Sequence, residues 1–155
     1  MKYPKTKEVL NQLVADLSQM AMVLHQTHWY MRGTNFLKLH PLMDDFMDEI
    51  NDQLDVISER LIALGGSPYS TLSEMASHTK ISDEPGTYDK TTEQRFATLV
   101  ADYRYLANLY QEGTEISGEE NDLSTQDIFI GFNTAIEKKI WMLQAELGQS
   151  PKIDD

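Results

Sequence analysis

Residues 36–64 read FLKLHPLMDDFMDEINDQLDVISERLIAL, and two patterns run through them at once. Leu39, Leu42, Met43, Phe46, Ile50, Leu54, Ile57, Leu61 and Leu64 recur every three or four residues, the spacing of one helical face. At roughly 100° per residue, Asp44, Asp48, Asp52, Asp55 and Glu59 gather in an arc of roughly 80°, with His40 one turn before them on the same side. The segment is therefore a long helix with a buried face and, nearly opposite, a stripe of carboxylates. Gly65-Gly66-Ser67-Pro68 supplies the residues that end it.

The same periodicity extends to both sides. A first helix spans about Thr6 to Met31 on Leu10, Leu13, Val14, Leu17, Ala21 and Leu24, and Gly33-Thr34-Asn35 stops it. After the second helix, Thr71 with Glu74 three residues on has the form of a capping box, opening a short helix from about Thr71 to Ser77. Pro85-Gly86 marks loop. Thr91 and Gln94 repeat the box ahead of a helix to about Ile116, carried by Phe96, Leu99, Val100, Tyr103, Leu106, Ala107 and Tyr110. Ser117 to Asn121 reads as a polar connection, and Ser124 precedes a last helix to about Leu147. This predicts an all-α chain with one domain over residues 1–155. Its architecture is a ferritin-like four-helix bundle with a short extra helix in the long connection between helices two and three.

Composition narrows the chemistry. The 155 residues carry 13 Lys+Arg against 25 Asp+Glu, a formal charge of −12, and no cysteine. Disulfides, thiolate metal sites and cysteine nucleophiles are excluded, leaving Asp, Glu and His as strong metal donors. No stretch approaches the roughly 18 apolar residues of a membrane span, and the N-terminal residues lack the apolar region of a secretion signal, so a cytoplasmic, membrane-free protein is expected. Excess negative charge disfavours a broad nucleic-acid surface, and Lys2, Lys5 and Lys7 are the only terminal basic cluster.

Like charges at i, i+4 cost a helix roughly 0.2–0.5 kcal/mol per pair, so the acidic stripe invites a compensating cation. The plain alternative is a solvated face on a helical scaffold. Against it, Ile62 lies within the acidic arc and Val56 at its margin, which suits packing on another chain. His25, His28 and His40 also fall within sixteen residues around the first turn. His28 lies on the first helix's apolar stripe, where a hydrogen-bonded core histidine is the competing reading. Trp29 reads as packing and His78 as structural. Asp44 and Asp55 are separated by roughly 16 Å, and His40 and Glu59 by roughly 28 Å, at 1.5 Å per residue. Metal bonds to such donors are about 2.0–2.2 Å, so the two ends of the stripe cannot share an ion within one chain. Two second helices packed antiparallel about a two-fold axis would join His28, His40 and Asp44 of one copy to Asp55 and Glu59 of another, twice. No Glu-x-x-His occurs, which argues against the di-iron centre built inside a single bundle.

His25-Gln-Thr-His-Trp-Tyr-Met-Arg-Gly-Thr-Asn-Phe, His40-Pro-Leu-Met-Asp-Asp, Asp55-Val-Ile-Ser-Glu-Arg and Leu64-Gly-Gly-Ser-Pro together resemble, in order and spacing, the signature of the Dps miniferritins. The resemblance extends to Lys138-Lys139-Ile140-Trp141. It implies a hollow dodecamer with ferroxidase sites between two-fold-related subunits. There Fe(II) is oxidised by hydrogen peroxide and stored as ferric mineral, protecting against oxidative stress. By position it implies His28, His40 and Asp44 from one subunit and Asp55 and Glu59 from its partner as iron ligands, with Glu59 bridging and Trp29 beside the site. Oxygen donors favour Fe(III) and so electron loss, and zinc or manganese would compete for the same donors. The resemblance also implies acidic three-fold pores at the start of the last helix, for which Asp122 and Asp127 are the candidates, with Glu119 or Glu120 at the rim. DNA compaction, the family's other known trait, is the alternative function. The acidic balance and the Pro151-Lys-Ile-Asp-Asp end lead us to expect no appreciable duplex binding at physiological salt.

Overall fold

The computed structural model describes residues 1–154. Five helices follow in chain order: α1 (Pro4–Tyr30), α2 (Phe36–Ala63), α3 (Leu72–His78), α4 (Thr92–Glu119) and α5 (Leu123–Glu146). Among the described residues there is no strand, so the all-α architecture with its short third helix is as the periodicity requires. α1 packs on α2 and α4, α5 lies along α4, and α3 rests on α1.

Polar contacts fix the helix directions. Asn35 reaches Glu146 at 3.3 Å, Glu49 pairs with Lys139 at 2.9 Å, and Arg60 pairs with Asp122 at 3.0 Å. Ascending α2 thus meets descending α5, and the two run antiparallel. At the other seam, Glu120 from the end of α4 accepts the backbone N–H groups of Lys5 and Thr6 at the start of α1, while Gln26 near its far end meets Arg95 at 3.5 Å. Between the four long helices lies one core, including Leu10, Leu17, Met20, Met43, Phe46, Ile50, Leu99, Tyr103, Tyr110, Phe129 and Ile140.

Where the termination signal is local, the helix ends fall as expected. Gly65 at φ 80° closes α2 with its N–H on the Ile62 carbonyl and that of Gly66 on Leu61, the paired bonds that cap a helix through a left-handed residue. Thr91 and Gln94 form a complete capping box. At α3, Thr71 accepts from the Glu74 N–H, but the Glu74 carboxylate takes the N–H of Ser70 rather than that of Thr71. Other ends differ. α1 begins at Pro4, where a missing N–H costs nothing. α4 runs through Ser117, whose hydroxyl bonds back to the Gly113 carbonyl, to Glu119. The cap of α5 is Asp122 rather than Ser124, its carboxylate accepting the Thr125 N–H.

The long crossover from α2 to α4 is tied down by side chains of α1. Gln12, Gln19 and Gln26, one every seven residues, donate to the carbonyls of His78, Ser82 and Glu84 at 2.9, 2.9 and 2.8 Å. Beneath them the fully buried Asp16 carboxylate accepts from Thr79 Oγ1 (2.9 Å), the Lys80 N–H (2.8 Å), the Tyr105 hydroxyl (2.6 Å) and Gln12 Nε2 (2.9 Å). Gly86 lies against the Tyr30 ring so closely that a Cβ there would stand 2.2 Å from a ring carbon.

Half-buried Asp102 on α4 has no such partners. Burial pushes its carboxyl up to about 6, and the charged groups around it are Asp83, Glu84 and Lys90 of the crossover. A carboxyl whose folded value is raised holds its proton more tightly folded than unfolded. Its ionisation therefore costs stability as pH rises from about 4 to about 6, and the cost is complete above that. Asp102→Asn is expected to leave stability unchanged near pH 3.5 and to raise it at pH 7.5 by about 1–2 kcal/mol, after allowance for solvent screening. Denaturant titration at both pH values measures this, and equal stability of the two proteins at pH 7.5 would refute it.

Candidate metal centre

α1 ends at Tyr30, which leaves the carbonyl of His28 without the N–H that a further turn would offer. That carbonyl is taken by His40 Nδ1 at 2.8 Å, while His28 Nδ1 bonds the His40 carbonyl at 2.6 Å. The two residues thus latch the corner between α1 and α2 reciprocally, with their rings stacked 3.6 Å apart and inclined by 10°. Phe36 stacks on the outer face of His40 at 4.7 Å. Pro41, just beyond, removes one rung from the first turns of α2.

The latch fixes the tautomer. A carbonyl only accepts, so each Nδ1 carries the proton, and in the neutral ring each Nε2 keeps a free lone pair. Holding one ring nitrogen on a carbonyl is how metal-ligating imidazoles are commonly oriented. His28 Nε2 stands 3.7 Å from Asp44 Oδ1, whose carboxylate is more than half exposed. Two acceptors facing each other across that gap suit a shared cation. Trp29 is 59% exposed and reaches His25, its ring 4.9 Å away, rather than His28.

Asp55 and Glu59 lie exposed further along α2, beside the exposed apolar side chains Val56 and Ile62. Among the described residues no three His, Asp or Glu side chains come together closely enough to hold an ion. The candidate side chains thus fall into two separate groups, His28 of α1 with His40 and Asp44 of α2, and Asp55 with Glu59 further along α2.

Asp122 departs from the sequence reading. It is only 2% exposed, and its carboxylate is occupied by Arg60, by the Thr125 N–H and by the Thr125 hydroxyl. An acid so engaged is a helix cap and ion-pair partner rather than the open pore carboxylate expected. Glu120 is likewise spent on the start of α1, where its bonds to Thr6 and Lys5 hold it below its ordinary value despite some burial. Of the acids near this end, Asp127 and Glu119 remain exposed. His78, read as structural, stacks on Tyr69 with ring centres 4.1 Å apart. Sequence reasoning missed Asp16 entirely, whose signal is only an acid set amid an apolar helical face.

Residues 7–153 match the model of the ferritin-like domain. The DNA protection during starvation protein of Streptococcus suis is 53% identical over 148 residues, covering 96% of this chain and 86% of that one. The X-ray structure of Dps from Listeria monocytogenes superposes with a TM-score of 0.92 at 44% identity, covering 94% of this chain and 95% of that one. Dps from Listeria innocua, in crystals soaked with cobalt, gives a TM-score of 0.92 at 44% identity over 94% of each chain. The fold is that of a ferritin-like protein. Within that class, the chain belongs to the Dps family, whose members are iron-storage and DNA-protection proteins.

Proposed function

We propose that the chain is a ferroxidase and iron store. Fe(II) is its substrate, bound by His28, His40 and Asp44 of one subunit together with Asp55 and Glu59 of a two-fold-related copy. The observation that carries this reading is the reciprocal histidine latch, which leaves both Nε2 lone pairs free, one of them facing Asp44. The exposed Val56 and Ile62 support it, since a second copy seated on them would bring the distal acids to the histidine corner.

The reaction is a two-electron reduction of peroxide. Two Fe(II) ions give up one electron each, the O–O bond breaks, and with two protons the oxygens leave as two waters. Carboxylate donors from Asp44, Asp55 and Glu59 stabilise the ferric product. Twelve copies would close a hollow particle in which ferric mineral accumulates in the cytoplasm, with Asp127 and Glu119 the acids available to its entry pores. Zinc and manganese, which take the same imidazole and carboxylate donors, compete for them.

Anaerobic Fe(II) titration followed by peroxide, read by absorbance and native mass, tests the proposal. Rapid oxidation on a particle of twelve subunits is expected. Oxidation at the rate of the buffer alone, or a monomeric mass, would refute it. DNA compaction is not part of this reading: each copy contributes a formal −12. In a mobility-shift assay at physiological salt, no retarded duplex is expected, and a shift at equimolar protein would show otherwise.

A further inference from the structure

His40 lies on a poorly supported turn. α2 begins at Phe36 without a side-chain cap, since the Asn35 amide is drawn to Glu146 instead, and Pro41 leaves the Leu37 carbonyl without the N–H that would complete its rung. The His40 ring is pinned at one atom, Nδ1 on the His28 carbonyl at 2.8 Å. A carbonyl oxygen accepts over a broad range of directions, so this bond alone does not fix where Nε2 points. The two faces of the ring do. His28 covers one face at 3.6 Å and 10°, and Phe36, four residues earlier on the same side of the helix, covers the other at 4.7 Å and 28°. Phe36 is itself half-buried and packed on the core, which makes it a fixed wall.

We propose, resting on the reading of His40 as an iron ligand, that Phe36 is a positioning residue of the metal corner. By closing the outer face of His40 it holds the imidazole against His28 before any ion arrives, with Nε2 already set for the incoming Fe(II). Phe36 carries no donor atom, so it acts only through His40. Without its ring the imidazole regains rotamers that each bound ion must remove again, which weakens binding while the occupied site keeps its donors and its rate. The signature is a rise in half-saturating Fe(II) at an unchanged limiting rate, the pattern of lost uniform binding.

Assembled particles of the parent, Phe36→Leu, Phe36→Tyr and Phe129→Leu test this by anaerobic calorimetric titration with Co(II) and by peroxide-driven oxidation measured across Fe(II) concentrations. Phe36→Leu is expected to weaken Co(II) binding and to raise half-saturating Fe(II) by about tenfold, the lower range for a residue that orients a metal ligand. Phe36→Tyr keeps the aromatic face and is expected to match the parent in both. Phe129→Leu trims a fully buried ring that lies with Val9 against Gly113, toward the opposite end of α1 from His28. It reports what general loosening of the core does, and is expected to leave both values unchanged. Should Phe36→Leu fail to assemble, Phe36→Ile gives the same reading. A parent that oxidises Fe(II) and a Phe36→Leu particle with the same affinity and half-saturation would overturn the role of Phe36 alone. Equal weakening in Phe129→Leu, or no rescue by Phe36→Tyr, would overturn it too. A parent that neither binds Co(II) nor oxidises Fe(II) would remove the ferroxidase reading and this role together.

Discussion

Particles made of His28→Asn chains and particles made of Asp55→Asn chains are each expected to oxidise Fe(II) at least about 100-fold more slowly than the parent, since losing even a residue that only orients a metal ligand costs about 10–100-fold. Dissociated and reassembled from an equal mixture, they are expected to recover about a quarter of the parental rate, because two-fold sites draw their halves from different copies. In a mixed pair, one site receives the intact histidine and the intact acid, and the other receives both lesions. Half of randomly formed pairs are mixed, and half of the sites in those are whole. Asparagine at position 28 retains a donor for the His40 carbonyl while removing Nε2, so the latch survives and only the ligand is lost. Stopped-flow absorbance gives the rates and native mass verifies mixing. Mixed particles with no recovery of rate would place all donors within one chain and end the shared-site account.

The second large effect concerns stability. Asp16→Ala removes a buried acceptor shared by four part-buried bonds, leaving Thr79, the Lys80 N–H and Tyr105 without their partner while Gln12 keeps the His78 carbonyl. Each unsatisfied buried donor costs about 1–3 kcal/mol, and partial relaxation brings the expected total to about 3–5 kcal/mol. In a chain of this length that lowers the thermal midpoint by about 10 °C. The Tyr105 phenol, held above its ordinary range by burial and by Asp16, would lose its acceptor. Limited proteolysis should then cut first in the crossover near Thr79–Ile81, which the carboxylate anchors. A midpoint within about 2 °C of the parent, less than 1 kcal/mol for such a chain, would show that Asp16 is dispensable.

What could be read from the sequence was what the chain decides locally. Gly65-Gly66 and Thr91-Gln94 act within four residues of themselves, so their positions announced the ends of α2 and the start of α4. The apolar spacing of α2 announced which face would be buried. The separation of Asp44 from Asp55 follows from helix rise alone, which is why their lying too far apart to share an ion within one chain was visible without coordinates. Asp122 was not legible in this way. Its role depends on Arg60, 62 residues away, and a carboxylate near a helix start looks the same in sequence whether it caps, pairs or faces an opening. Glu120 and Asp16 escaped for the same reason, since their partners are brought in by tertiary packing. The histidine latch was hidden more deeply still, because both acceptors are backbone carbonyls.

Backbone acceptors also govern how freely the crossover can change. Gln12, Gln19 and Gln26 grip oxygens that every amino acid possesses, so the strap is held by its path rather than by its spelling. Genetic drift can rewrite Ser82 and Glu84 without loosening them, while replacing any of the three glutamines removes a grip that no substitution in the strap can restore. Over residues 78–84 the burden of keeping the wrapping in place therefore falls largely on one helix, and the wrapping itself is left open to innovation.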